Sequence, residues 1–80
     1  NHSTVATALN NLGAILSKLE LYLDARPVLE RSLEIRENVL SPDDPALADS
    51  LNSLALVLSG LGLSQDVRQI FERAIAIREK

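Results

Sequence analysis

The sequence predicts an all-α fold, in which two helix-turn-helix units follow one another as four antiparallel helices stacked into a short solenoid. Three observations carry that prediction. The chain repeats itself at an offset of 42 residues. Apolar residues recur at helical spacing in each half. The halves meet at a short segment holding two prolines. A fixed period of about 20–50 residues is what stacked repeat units produce, because each unit buries its apolar face only against its neighbour.

The repeat is visible on sliding the chain along itself. At offset 42, residues 1–38 lie over 43–80, and 15 of those 38 pairs are identical without a gap. The shared positions include Leu9/Leu51, Asn10/Asn52, Leu12/Leu54, Leu16/Leu58, Asp24/Asp66, Arg31/Arg73 and Arg36/Arg78.

Each unit reads as two helices. Val5, Leu9, Leu12 and Leu16 fall at i, i+4, i+7 and i+11, one stripe of a helix over about 4–19. A link around Leu19–Leu23 follows. Asp24 suits an N-cap, since its carboxylate accepts an orphan backbone N–H. Pro27 then falls in the first turn of a helix over about 24–40, where its missing N–H costs little. Ser41-Pro42-Asp43-Asp44-Pro45 closes that helix and opens the next, with Asp44 as N-cap and Pro45 at the first helical position. Ala48, Leu51, Leu54, Ala55 and Leu58 line a helix over about 45–61. Ser64 caps a last one over about 65–79 that carries Val67, Ile70, Phe71, Ala74, Ile75 and Ile77. The expected organisation is one domain over 1–80, with repeat one at about 4–40, a linker at 41–45 and repeat two at about 45–80.

Composition narrows the function. Hydrophobic residues reach 46% but aromatics only 2%, so the core is aliphatic, which suits helices. A net charge of −3 and a pI near 4.9 argue against a nucleic-acid surface, which shows as a basic patch. No cysteine is present, which removes disulfides and thiol chemistry and fits a reducing, cytoplasmic compartment. No signal peptide is visible, and no apolar run reaches the 18 or so residues of a membrane span.

Catalytic constellations are not apparent, and the expectation is neither an enzyme nor a cofactor or metal binder. His2 is the only histidine and stands beside the N-terminus. Asp43 and Asp44 read as turn and cap residues between prolines. Gly60-Leu61-Gly62 lacks the lysine and the strand of a phosphate loop. The charges of the second helices are expected on a solvated outer face, with i, i+4 pairs such as Arg26/Glu30 and Arg68/Glu72.

These residues resemble tetratricopeptide repeats, in the 42-residue form of kinesin light chains. Leu9, Leu12, Gly13 and Leu16, then Ala25, Leu29 and Ser32, match the family signature in the first unit. Leu51, Leu54, Ala55 and Leu58, then Val67, Phe71 and Ala74, match it in the second. Ser32–Glu37 and Ala74–Glu79 are similar to the family's ALAIRE stretch, and Ser41–Pro45 to its GPDHP linker. Asn1-His2 before Val5-Ala6 is similar to the end of another such linker. Leu16 and Leu58 depart from the usual Tyr, Glu20 from the usual Gly and Val67 from the usual Ala. The resemblance implies a right-handed solenoid and a role as a protein-interaction scaffold.

It also implies a site. First helices of such arrays line a concave groove that takes extended peptides. Asn10 and Asn52 match groove asparagines, whose amides supply both a donor and an acceptor to a guest backbone. Thr7, Asn11, Ser17, Lys18, Asp49 and Ser59 are placed on the same wall. Lys18 is the only basic residue among these, which disfavours acidic C-terminal tails held by a basic clamp. Small residues are expected where paired helices cross, with Gly13 against Ala25 and Ser32, and Leu12 and Leu54 are expected in the core. Two repeats are fewer than the three or so that usually stand alone, so the chain reads as a piece of a longer solenoid or as a unit completed by a second copy. The alternative to peptide binding is therefore a homodimer formed through exposed Leu-rich faces. The expected partner is a protein or peptide, not nucleic acid or membrane.

Overall fold

In the computed structural model, which describes residues 2–78, four helices follow in order: α1 (His2–Lys18), α2 (Tyr22–Val39), α3 (Pro45–Gly60) and α4 (Ser64–Arg78). α1 pairs with α2 and α3 with α4. The two hairpins stack through α2 and α3, and α1 also touches α3. The core runs along that seam and is aliphatic as composition requires, with Ala25, Leu29, Leu33, Leu47, Leu51, Leu54, Val57 and Leu58 buried.

The two hairpin turns are built alike. Leu21 N–H donates to the Leu16 carbonyl and Glu20 N–H to that of Ser17; Leu63 N–H donates to Leu58 and Gly62 N–H to Ser59. This is the Schellman ending of a helix, which needs a left-handed residue just past the last turn. Gly62 supplies it at φ 78° and Glu20 at φ 61°. The next helix starts at once, its first bonds running from Ala25 N–H to Leu21 and from Val67 N–H to Leu63.

That immediate restart corrects two expectations. α2 begins at Tyr22, so Asp24 lies inside its first turn instead of capping it, and the cap position is Leu21, whose side chain makes no cap bond. Asp24 still favours the helix by placing an acid near the positive end of its dipole. Pro27 consequently sits inside α2, past the first turn. α4 likewise starts on Ser64 itself. The linker behaves as expected: the Asp44 carboxylate accepts from Ala46 N–H at 2.9 Å, and Pro45 opens α3.

Helix crossings use small residues. Gly13 is buried, and a Cβ built there would stand 2.3 Å from Leu29 Cδ2, so the side chain facing it is Leu29. One crossing further along, buried Ser32 donates its hydroxyl to the Ala6 carbonyl at 2.7 Å. Leu54 is buried as expected. Leu12 is not: nearly half its surface is open, because none of the described helices covers the face it occupies on α1.

The outer charges divide. Arg26–Glu30 and Arg68–Glu72 form the expected exposed i, i+4 pairs at 3.4 and 3.2 Å. Arg73 pairs with Glu37 across α4 and α2. Arg36 overturns the expectation of a solvated side chain. Its Nη1 donates to the Ala46 carbonyl at 3.1 Å and to Ser50 Oγ at 2.7 Å, and its Nη2 to Thr7 Oγ1 at 3.4 Å. The guanidinium fork, with five donors in one plane, reaches helices α1 and α3 together from the end of α2.

Candidate functional site

α1 and α3 touch each other and carry the expected groove residues. Thr7, Asn10, Asn11, Ser17 and Lys18 stand on α1; Asp49, Asn52 and Ser59 stand on α3. Between the helices lies a cavity of about 260 Å³ lined by Ala14, Ser17 and Lys18 of α1, Tyr22 of α2, and Ser53 and Leu56 of α3.

The sequence places each lining group there for a local reason. Tyr22 opens α2 directly after the hairpin turn, so its ring swings over α3. There it meets Gly60, where a Cβ would stand 2.6 Å from the ring. Gly60 thus seats the aromatic floor of the cavity. Leu56 is exposed on the polar side of α3 and forms an apolar wall. Ser17 returns its hydroxyl to the Gly13 carbonyl at 2.9 Å, which turns its polar end into the helix and leaves carbon toward the cavity. Lys18 ends α1 at the rim, exposed, with no acidic partner among the described residues.

The remaining expected residues spread along the wall. Asn10 is partly buried, and its Oδ1 is closed to solvent with no hydrogen-bond partner among the described residues. A buried acceptor without a donor costs about 1–3 kcal/mol, and this oxygen meets an incoming N–H only once the amide turns toward the surface. Asn52 is partly buried at the equivalent place on α3. Thr7 is engaged elsewhere: its hydroxyl donates to the Ser3 carbonyl at 3.0 Å and accepts from Arg36. With Asn11, Ser3, Thr4 and Ala8 it borders a separate shallow hollow of about 380 Å³. Asp49 is exposed and bonded within the fold, and its carbonyl accepts from Ser53 Oγ at 3.1 Å. Ser59 is exposed near the end of α3.

The structure therefore gathers Ser17 and Lys18 into one cavity with Ala14, Tyr22, Ser53 and Leu56, which sequence reasoning did not select. The signal for Leu56 was present, since a leucine interrupts an otherwise polar face. Tyr22 left none, because its direction depends on where α2 begins.

An apolar cleft with one cation at its rim is suited to holding a side chain. Among the described residues no three of His, Cys, Asp and Glu come close enough to hold a metal, and no described helix is long and apolar enough to cross a membrane. No curated protein matches the chain. The paired helices, their tight small-residue crossings and the turn-for-turn equivalence of the two hairpins agree with a family model, tetratricopeptide repeat, that matches residues 4–80: the chain belongs to the tetratricopeptide repeat family.

Proposed function

We propose that residues 1–80 form one scaffold module that holds an extended peptide of a partner protein along the wall made by α1 and α3. Repeats of this family generally mediate protein–protein contacts. The cavity between Ala14, Tyr22 and Leu56 is the observation that carries the reading. Its volume and apolar walls suit an aliphatic side chain of the peptide, and Lys18 at the rim favours an acidic neighbour over a basic one. One lysine is too little for a clamp on a doubly acidic C-terminal tail. Asn10 supports a guest backbone, since turning its amide toward the surface would give the partnerless Oδ1 a donor. The 42-residue period and the Ile35-Arg36-Glu37 and Ile77-Arg78-Glu79 endings support the kinesin-light-chain-like form of the repeat, and the lack of cysteine suits a cytoplasmic setting.

The test begins with peptides selected from a displayed random library on the immobilised chain. Leu56→Asp is expected to weaken a selected peptide by about tenfold or more, equivalent to about 1.4 kcal/mol, with the melting temperature held. Asn10→Ala with Asn52→Ala is expected to weaken it as well. Full affinity in Leu56→Asp would place the peptide elsewhere and end this reading. A fall in stability without loss of affinity in the asparagine variant would make those amides structural.

A further inference from the structure

The 42-residue equivalence allows each residue of one hairpin to be compared with its counterpart in the other, and the differences in burial follow a pattern. On α1, Val5, Leu12 and Ile15 are 45%, 46% and 54% exposed; their counterparts on α3, Leu47, Leu54 and Val57, are 2%, 5% and 0% exposed. On the opposite side of the chain the pattern reverses. Phe71 and Ile75 of α4 are 42% and 55% exposed, while their counterparts on α2, Leu29 and Leu33, are 0% and 8% exposed. The residues concerned are apolar in every pair. What covers them in the interior is known: α3 rests on α2. The open face of α1 is thus a second version of the α3 face, and the open face of α4 a second version of the α2 face.

We propose that these two faces dock on each other between copies of this chain, so that α1 of one copy rests on α4 of the next as α3 rests on α2 within each. The occupant is argued from continuity with the internal seam, in which the equivalent surfaces of α3 and α2 fit each other. Charge agrees. At the same offset Arg31 stands where Arg73 does and Glu79 where Glu37 does, so the sequence repeats across the junction the ion pair that joins α4 to α2. Glu79 lies outside the described residues. Arg31 has no acidic partner among those described. The contact is heterologous, one face against a different face, and such contacts extend into open stacks or rings instead of stopping at a two-fold dimer. This differs from a homodimer in which like faces meet.

Sedimentation equilibrium of the 80-residue chain tests this without any variant: the average mass is expected to rise with concentration and to pass twice the chain mass of 8.7 kDa. Two variants then separate the faces. Leu12→Asp with Ile15→Asp removes the α1 face, and Phe71→Asp with Ile75→Asp the α4 face. All four side chains are about half open in the single chain and none lies in its buried core, so both variants are expected to keep its helical circular dichroism. Each alone is expected to be monomeric, and an equimolar mixture to form a 1:1 complex and nothing larger, because each retains the face that the other has lost. A wild-type chain that stays monomeric up to millimolar concentration would overturn the proposal. So would one variant that still self-associates alone, or a mixture that stays monomeric while the wild type associates.

Discussion

Gly13→Ala puts the helix crossing under direct test, because two effects of opposite sign meet at one atom. Alanine is a better helix former than glycine by about 1 kcal/mol, and α1 is otherwise unbroken there. Against that gain, the added Cβ would stand 2.3 Å from Leu29 Cδ2 and 2.4 Å from its Cγ. Carbon atoms rest at about 3.5–4.0 Å, so the overlap exceeds an ångström. Leu29 has nowhere to go, since it is fully buried among Ala25, Leu33 and the α3 seam. Overpacking of a filled core costs about 1–3 kcal/mol, and an overlap this deep belongs near the upper end. The net expectation is a loss of about 1–2 kcal/mol.

For a domain of this size each kcal/mol moves the melting temperature by about 4–8 °C. Thermal unfolding followed by circular dichroism should therefore show a fall of about 5–15 °C. The second hairpin supplies a control. Ala55 stands at the equivalent position, where the native side chain already carries the methyl and is fully buried. Ala55→Gly should also destabilise, by about 1–2 kcal/mol, from lost helix propensity and one buried methyl. A rise in melting temperature for Gly13→Ala would show that the crossing is not close and would refute the reasoning.

Other consequences follow the same equivalence. Leu54→Ala should cost about 2–5 kcal/mol, as a buried leucine does, whereas Leu12→Ala should cost about 1 kcal/mol or less, because only half of that side chain leaves water; equal urea midpoints for the two would contradict the burial pattern. Glu20→Gly should stabilise by about 1 kcal/mol, since a left-handed residue with a Cβ is strained by about 1–2 kcal/mol, and Gly62→Ala should destabilise by a similar amount in the same thermal assay. Arg36→Met keeps the apolar stem but leaves buried Ser50 Oγ without its donor, while the Ala46 carbonyl keeps its bond within α3, a loss of about 1–2 kcal/mol; chemical denaturation close to wild type would show the fork to be idle.

How far the fold could be read from the residues depends on what set each feature. The repeat, the four helices and the Asp44-Pro45 start were legible because they are local: a period, an apolar stripe, a cap with its proline. The start of α2 was not. Asp24 is a good cap in isolation, yet the chain leaves the Schellman turn already at Leu21, and turn geometry outweighs cap chemistry. Leu12 was misplaced because its spacing puts it on the apolar stripe, and spacing says which face is apolar but not whether a neighbour covers it. Arg36 reads as one more surface charge among Glu34, Glu37 and Arg31, and only the arrangement of three helices reveals a bonded fork. Of the expected groove residues, Ser17 and Lys18 share the cavity, while Thr7 and Asn11 border a different hollow, a division set by the start of α2, where Tyr22 lines one and not the other.

The peptide wall and the stacking faces share α1 yet occupy separate stripes of it. Asn10, Ala14, Ser17 and Lys18 lie on one, while Val5, Leu12 and Ile15 lie on another, offset by the turn of about 100° that each residue adds to a helix. Because the stripes do not overlap, a charge at Leu12 and Ile15 removes the stacking contact without entering the cavity, and a charge at Leu56 does the reverse. The two proposals therefore fail independently. Stacking in the internal geometry would also bring the α3 wall of one copy next to the α1 wall of the following copy, in the order that α1 and α3 already have. The groove would lengthen by repetition of the same surface. A peptide crossing such a junction would touch two copies and bind the stack more tightly than the single chain, and mass action would then make ligand and assembly promote each other. The buried Asn10 acceptor lies on the stripe where that shared wall would run.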